Sequence, residues 1–331
     1  MMMKKQWVKS FVSTVCFVLL VSTLCFAQKP QKQPDGSYQF VDKSGKVLKK
    51  LGRWKRASGF WYYADNYAIA KGFDGAKYYL TKSGKTYKFA LGLQRLTPDK
   101  EVLSFSPIFI TKAAYKKIFS HPQLKIIIIK RGSCQLDRHD VQTLLNRIHT
   151  FKNLEVLDLD MGNLKEIPPK IGQLTQLKYL KLQNQLLERI PTEISHLKKL
   201  QALYLSDNQI KYLPNAVGQL TQLKRLDVSK NSLVRISSSV GNLKLLEILD
   251  LNCNRTAFAS YVDERSQVRH LRLKNHNSSL KVLPKEVLRL SSLKELNLSE
   301  NKGLKLTNVW GQIQSKLPNC KIQLPHSKNR F

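Results

Sequence analysis

Hydrophobic residues recur at a fixed interval through the second half of the chain. The pattern L-x-x-L-x-L begins at positions 23 residues apart over five successive units, and less regular copies precede and follow them. A repeat of this length is typical of solenoids, in which each repeat forms one coil. We count eight units and a terminal half-unit, starting at Leu124, Leu154, Leu177, Leu200, Leu223, Leu246, Val268, Leu293 and, for the half-unit, Leu317.

Within one unit, the spacing of the apolar residues predicts a short strand followed by a turn and a return segment. Leu203 and Leu205 alternate with polar residues as in a strand, so both face one side. Asn208 is placed to turn the chain, and Leu213 points back into the same core before Pro214 ends the segment. One coil cannot bury its own leucines, whereas stacked coils can. The sequence therefore predicts an α/β solenoid with a parallel sheet.

Three units, "IPPKIGQLTQLKYLKL", "IPTEISHLKKLQALYL" and "LPNAVGQLTQLKRLDV", resemble the leucine-rich-repeat family in its 23-residue form. The resemblance extends over residues 121–325 and implies a horseshoe with a parallel concave sheet, in a protein that serves as a non-catalytic interaction module. Some units depart from the pattern. Gly162, Gln185 and His276 stand where other units have a turn asparagine, and the unit around Cys253 lacks the Leu-Pro step.

Helical segments are expected at the start of the solenoid, whose exposed ends need caps. Ile110, Ala114 and Ile118 have helical spacing, so residues 93–123 are interpreted as a linker and helical N-terminal cap. The first repeat is longer than the others and predicts a second helix, with Asp137 as its N-cap and Val141, Leu144, Leu145 and Ile148 on one face. Repeats then fill residues 124–325, and residues 326–331 form a tail.

Residues 28–92 have a different character, rich in aromatic residues and glycine. The segment "YQFVDKSGKV" recurs as "YYLTKSGKTY" 39 residues later, and each copy predicts a β-hairpin with a Ser-Gly turn. The region resembles bacterial WG-type repeats around "AIAKGFDGAKYYLTKSGK" and cell-wall-binding repeats around "GFWYYADN". The first resemblance implies a structural or interaction module, and the second implies glycan binding.

The first 27 residues are interpreted as a secretory signal peptide. Three lysines precede an uncharged apolar run from Phe11 to Phe26, and "CFA" provides small residues for cleavage. The protein is therefore expected to be exported, with no stable membrane insertion after cleavage. An uncleaved N-terminal anchor, or an intracellular location if this segment is misread, are the alternatives. Three cysteines remain after it, at Cys134, Cys253 and Cys320, and this odd number predicts a free thiol or an intermolecular bond.

Basic residues outnumber acidic residues by 56 to 23, giving a formal net charge of +33. The excess is +13 over residues 28–120 and +17 over residues 121–331, so the smaller region is the more basic per residue. Such an imbalance favours anionic partners. A protein ligand is the expected partner of the repeats, and an acidic glycan or other polyanion is the alternative, through the basic aromatic module.

Two positions of each unit are expected to face outward from the concave sheet. The first column, just before the second leucine, includes Tyr179 and Arg225; the second column, between the second and third leucines, includes Lys181 and Tyr204. Aromatic residues and arginine are enriched at binding hot spots, so these four residues are the main candidate ligand-binding site. His270 and Arg272 form a second candidate. The second column also contains Asp158, Asp227 and Asp250, and these acids argue against specific nucleic-acid binding there.

No catalytic, cofactor or metal motif is found in the sequence, so no cofactor, metal or enzymatic activity is expected. Asp227 and Asp250 lie on adjacent coils at a spacing that retaining glycosidases use, but an open sheet offers no pocket to exclude water. Cys134 and His139 could form a nucleophile and base. Packing of Cys134 in the longer first repeat is the simpler interpretation.

Overall fold

The structure, a computed structural model, describes residues 29–42, 44, 46–58, 67–74, 76–105, 112–130, 138–160, 164–254, 258–262, 268–272, 280–301, 303–307 and 309–325. The chain divides into two compact units, Met1–Phe89 and Ala90–Phe331. The expected signal peptide, the tail, Asp137 and Cys134 lie outside the described residues. In the part of the chain that is described, no helix is both long enough and apolar enough to cross a bilayer.

The first unit consists of antiparallel strands joined by tight turns. Its strands are β1 (Lys29–Lys32), β2 (Tyr38–Val41), β3 (Arg53–Trp54), β4 (Arg56–Ala57), β5 (Tyr67–Lys71), β6 (Lys77–Thr81) and β7 (Thr86–Leu91). Strands β1, β2 and β3 pair in that order, and β4, β5, β6 and β7 form a second series. The two expected hairpins are present, because β6 pairs with β7 and Val41 bridges to Val47.

A small core holds the first unit together. Phe40, Leu51 and Leu80 are almost completely buried, and Trp54 donates its indole N–H to the Leu51 carbonyl over 2.6 Å. The Ser-Gly turn between β6 and β7 requires glycine at Gly84, where φ is 92° and a Cβ atom would overlap the carbonyl of Lys50. The sequence "KSGK" therefore sets the turn, and the aromatic residues around it supply much of the core.

The second unit is a solenoid of coils. Its strands are β8 (Val102–Phe105), β9 (Ile126–Lys130), β10 (Val156–Asp160), β11 (Tyr179–Lys181), β12 (Ala202–Tyr204), β13 (Tyr212–Leu213), β14 (Arg225–Asp227), β15 (Arg235–Ile236), β16 (Ile248–Asp250), β17 (Phe258–Val262), β18 (Val268–Arg272), β19 (Glu295–Asn297) and β20 (Lys321–Gln323). Its helices are α1 (Lys112–Phe119), α2 (Arg138–Arg147) and α3 (Trp310–Lys316). Short 3-10 helices follow the return segments, at Pro169–Gln173, Thr192–His196, Asn215–Gln219, Ser238–Asn242 and Lys285–Arg289, and others lie at Leu93–Arg95 and Ile148–Thr150. The first unit has a 3-10 helix at Lys49–Leu51.

The long strands of the coils form one parallel series, in the order β8, β9, β10, β11, β12, β14, β16, β19, β20. Leu157, Leu180, Leu203 and Leu226 pair in register from strand to strand and are fully buried. Because side chains alternate along a strand, this register sends the residues on either side of each leucine to the opposite face. The α/β solenoid predicted from the leucine spacing is confirmed.

Buried amides connect successive coils. Asn231 accepts a hydrogen bond from the Ile210 N–H at 2.9 Å and donates to the carbonyls of Leu205 and Val228. Asn208, Asn254 and Asn301 repeat the arrangement. Gln185 replaces asparagine in its coil, accepts from the Leu164 N–H and donates to the Leu159 carbonyl. Each amide thus satisfies backbone groups that the turn would otherwise leave buried and unpaired.

The segment expected to form the unit at Val268 takes a different place. Strand β16 pairs directly with β19, and the Asn254 N–H bonds to Asn301 in the following coil. Strands β17 and β18 instead form an antiparallel hairpin in which His270 pairs with Ser260. The residues around Val268 thus leave the series of parallel strands, and the core resumes at Leu280 and Leu283, which are completely buried. His270 and Arg272 therefore do not continue the two outward columns.

The predicted caps are partly matched by the structure. Helix α1 covers Ala114 and Ile118, which pack on the solenoid core, whereas Ile110 lies outside the described residues. Helix α2 buries Leu144 and Leu145 as its spacing predicts. Strand β8 was expected to be linker but pairs in parallel with β9. Val102 and Leu103 are completely buried there, so this strand covers the edge that the first repeat would otherwise expose.

Candidate functional site

Two rows of side chains stand on the sheet face opposite the buried leucines, and we call them the first and second columns, as defined by the repeat. Ala202 pairs with Tyr179 on one side and with Arg225 on the other in the first column, and Tyr204 pairs in the same way with Lys181 and with Asp227 in the second. The structure therefore places Tyr179, Lys181, Tyr204 and Arg225 on the three adjacent strands β11, β12 and β14. Paired residues on neighbouring strands lie about 5 Å apart, so the four residues lie close together on this face.

The first column is buried at its N-terminal end and opens toward its C-terminal end. Ile126, Val156 and Ala202 are completely buried, whereas Arg225 and Ile248 are partly exposed. Tyr179 is only 3% exposed, and its hydroxyl donates to the Gln201 side-chain oxygen over 2.9 Å. We expected the whole column to be open to solvent. Tyr179 instead contributes mainly to packing, while Arg225 offers its guanidinium to solvent.

A buried carboxylate organises the second column at its N-terminal end. Asp158 is 2% exposed and accepts a 2.5 Å hydrogen bond from Lys130, while Lys181 lies 4.0 Å away. Burial lowers the pKa of the Lys181 ammonium; the Asp158 charge opposes this shift, and the charge of Lys130 reinforces it. The Lys181 ammonium is thus partly removed from water. Its charge therefore attracts a second anion more strongly than a fully exposed charge would.

Tyr204 occupies the middle of the second column and is partly exposed. It separates the basic N-terminal end, with Lys130 and Lys181, from an acidic C-terminal end, with Asp227 and Asp250. A column that changes sign within a few strands is suited to a partner with both charges. It does not form a uniformly basic track of the kind that follows a nucleic-acid backbone.

Asp227 and Asp250 are paired residues of adjacent strands and are only partly exposed. Burial raises the pKa of Asp227, although hydrogen bonds from Ser229 oppose the shift. Burial and the neighbouring Asp227 charge raise the pKa of Asp250 to about 7. Gln183 donates to Asp227 over 3.1 Å, and Asn297 donates to Asp250 over 3.2 Å. Asp250 therefore titrates near neutral pH, and burial opposes the charged form of Asp227 as well.

A third row, on the edge of the sheet just before the first column, is a ladder of ion pairs that we did not predict. Lys125 pairs with Glu101, Lys178 with Glu155 at 2.9 Å, and Lys294 with Glu247 at 2.6 Å. The sequence could have predicted this ladder, because these lysine and glutamate residues stand directly before the first-column residue of their units. The edge row is close to neutral, so the large positive charge of the protein lies elsewhere.

Of the residues considered for catalysis, Asp227 and Asp250 lie side by side on adjacent strands. Cys134 lies outside the described residues, and the side chain of His139 is not described. Among the described residues, no group of three or more His, Cys, Asp or Glu side chains is arranged to hold a metal ion. Cys253 and Cys320 are both partly exposed, and burial raises the pKa of the Cys320 thiol to about 11.

Comparison with known families agrees with the repeat geometry. A family model described as a leucine-rich repeat region matches residues 133–272. Together with the leucine register and the buried amides, this match identifies residues 133–272 as a leucine-rich repeat region. No curated protein sequence matches the chain at a significant level.

Solved structures similar to this chain are also leucine-rich-repeat proteins. One is a leucine-rich-repeat protein of Leptospira interrogans, 24% identical, with a TM-score of 0.43, covering 68% of this chain and 54% of its own. Another is an internalin of Listeria monocytogenes, 17% identical, with a TM-score of 0.42, covering 70% and 62%. A third is the ectodomain of the Arabidopsis thaliana receptor kinase GASSHO1/SCHENGEN3 in complex with CASPARIAN STRIP INTEGRITY FACTOR 2, 22% identical, with a TM-score of 0.42, covering 65% and 26%. The chain thus spans about half the length of the first of these.

Proposed function

We propose that this chain is an exported, non-catalytic binding protein whose concave sheet face recognises a protein ligand. The observation that carries the proposal is the group of Lys181 and Tyr204 in the second column and Arg225 in the first, which lie on three adjacent strands and are partly exposed. A rigid sheet fixes these side chains before a partner arrives, so little conformational entropy is lost on binding. Aromatic and arginine side chains in such a row are typical binding hot spots.

The charges of the second column suggest which kind of ligand surface fits. A basic end at Lys130 and Lys181 would face acidic groups of the ligand, and an acidic end at Asp227 and Asp250 would face basic groups. Such complementarity fixes the orientation of a partner more than it adds affinity.

Residues 1–27 support export, because they have the composition of a signal peptide.

The proposal is tested by affinity capture with the chain as bait against envelope and surface extracts of its source, at low and high salt. Captured proteins are identified by mass spectrometry, and the binding of a purified candidate is measured by calorimetry. Replacing Lys181, Tyr204 and Arg225 with alanine should weaken that binding at least about a hundredfold, since each hot-spot residue contributes about 1 kcal/mol or more. Replacing Lys198, Lys199 and Lys244, which are exposed on the far side of the coils, with alanine is the matched control.

A candidate captured equally by wild type and by the Lys181, Tyr204 and Arg225 variant would contradict concave-face binding. Thermal unfolding of each variant separates loss of binding from loss of folding. Because a desolvated aromatic contact is less screened than exposed ion pairs, binding should persist at high salt.

A second candidate function is supported by the charge of the first unit. Lys49, Lys50, Arg53, Lys55 and Arg56 are all exposed within one short stretch, and Arg53 pairs with Asp35. We propose as the alternative that this unit binds an acidic envelope glycan or another polyanion. Binding of heparin or teichoic acid that falls steeply with added salt, and that is lost when Lys49, Lys50 and Lys55 are replaced with glutamine, would support this alternative.

A further inference from the structure

A second surface of the solenoid lies on the return segments, away from the sheet face. After the buried amides of Asn208 and Asn231 the chain exposes two consecutive side chains, which are Lys211 and Tyr212 in one coil and Val234 and Arg235 in the next. Strands β13 and β15 pair Tyr212 with Arg235, so these coils are in register. The following coil exposes Lys281 and Val282 at the same two positions, because β19 stacks directly after β16. We call these six residues the return-flank patch.

The patch combines exposed apolar groups with exposed cations. Tyr212 is 58% exposed, Val234 is 46% exposed and Val282 is 53% exposed. Each of the three coils contributes one of these apolar side chains and one cation, Lys211, Arg235 or Lys281. Single exposed hydrophobic residues are ordinary on protein surfaces, but contiguous ones on neighbouring elements mark interaction sites.

A shallow groove of about 430 Å³ opens beside Tyr212 and Arg235. Pro214, Asn215, Ser237 and Ser238 complete its lining. Serine stands at Ser237 where the other regular coils have Pro168, Pro191, Pro214 and Pro284. The Ser237 hydroxyl donates to the Asn215 side-chain oxygen, and the NH2 group of the exposed Asn215 amide can donate to a peptide backbone.

Charge at these two positions changes along the solenoid. In the two preceding coils the cations are accompanied by carboxylates, Lys165 by Glu166 and Arg189 by Glu188, and Arg189 lies 3.5 Å from Glu166. From Lys211 onward, the described residues at these positions include no carboxylate, and Lys305 extends the basic series. The positive charge is therefore concentrated on the coils that also expose the apolar groups.

We propose that the return-flank patch is a second docking site, for an acidic segment of a protein partner that also carries apolar side chains. Its carboxylates would meet Lys211, Arg235 and Lys281, and its apolar side chains would cover Tyr212, Val234 and Val282. The groove favours a peptide segment over a lipid surface, because a bilayer cannot enter it. The two valines favour a protein over a nucleic acid, whose bases stack on aromatic rings rather than on aliphatic side chains.

A random copolymer of glutamate and tyrosine serves as the probe, with polyglutamate as the charge-only control and phosphatidylglycerol vesicles as the lipid control. Binding of the full chain is measured by fluorescence anisotropy or vesicle sedimentation at about 0.15 M salt, where long-range attraction is screened. Lys211→Glu should weaken copolymer binding about tenfold or more, and Tyr212→Ser by a similar factor, as expected for hot-spot residues. Lys165→Glu is the matched control, because it makes the same charge change at the same repeat position two coils earlier.

Three results would overturn the proposal. The first is absence of copolymer binding by the wild-type chain. The second is an equal loss for Lys165→Glu and Lys211→Glu with no effect of Tyr212→Ser, because this result would mean attraction by net charge alone. The third is binding of vesicles, but not copolymer, that depends on Lys211 and Tyr212, since the partner would then be a membrane. Binding that survives replacement of Tyr204 and Arg225 separates this site from the concave face.

Discussion

Replacing Asn231 with alanine should destabilise the solenoid strongly although it removes no apolar contact. The Asn231 side chain is 1% exposed, accepts from the Ile210 N–H and donates to the carbonyls of Leu205, Val228 and Ser229 at 2.9–3.1 Å. Alanine leaves the N–H and two or more carbonyls buried without these partners. Each unsatisfied group costs about 1–3 kcal/mol, so we expect a loss of about 3–5 kcal/mol in the free energy of unfolding.

Equilibrium urea unfolding, followed by far-ultraviolet circular dichroism, measures this loss. Asn242→Ala is the matched control, because Asn242 is exposed on a 3-10 helix of the same coil region and its replacement should cost less than about 0.5 kcal/mol. Asn231→Gln should recover part of the stability, since Gln185 fills the equivalent role in its own coil. A loss for Asn231→Ala no greater than that for Asn242→Ala would refute the view that buried amides join the coils.

Other substitutions test the core, the close approach of coils and the acidic pair. Leu203→Ala should cost about 2–5 kcal/mol in urea unfolding because Leu203 is fully buried, whereas Tyr204→Ala should cost less than about 1 kcal/mol; equal losses would contradict the register. Gly218→Ala should cost about 1–3 kcal/mol, because its Cβ would overlap the Ser239 carbonyl of the next coil; unchanged stability would show that the coils can separate there. The pKa of Asp250 is about 7 when folded, above the value of about 3.9 for an unfolded chain, so the folded protein binds this proton more tightly. Its stabilising effect is complete below about pH 4 and is lost as pH rises through about 7. Asp250→Asn should remove about 1–2 kcal/mol of this change in unfolding free energy with pH, which is less than the full pKa difference implies because the side chain is partly exposed. A pH profile of stability identical to that of the wild type would disprove the role of Asp250.

The sequence also led to a placement that the structure changes. Val268 and Leu271 fit the strand pattern of a repeat, and this local match predicted His270 and Arg272 in the outward columns. Pairing between β16 and β19 decides otherwise, because β18 pairs with β17 and takes no place between those two strands. A single strand motif does not report which of two neighbouring segments stacks on the preceding coil.

The repeat pattern also did not predict how deeply the side chains of the two outward columns are buried. Sequence position told us that Tyr179, Lys181 and Tyr204 share one face, and the strand pairing agrees. The pattern did not show that Tyr179 is almost completely buried or that Asp158 is enclosed between Lys130 and Lys181. Exposure depends on the size and conformation of neighbouring side chains, which come from coils 23 or more residues away.

The sequence by itself determined the architecture, because a solenoid is specified by nearest-neighbour contacts that repeat with the leucines. It also determined the hairpins of the first unit through their Ser-Gly turns. Only the tertiary structure decided which side chains are available to a ligand. The stacking of coils brings Tyr212, Val234 and Val282 to one exposed surface and encloses Asp227 and Asp250 together, and both outcomes depend on which coils become neighbours in space.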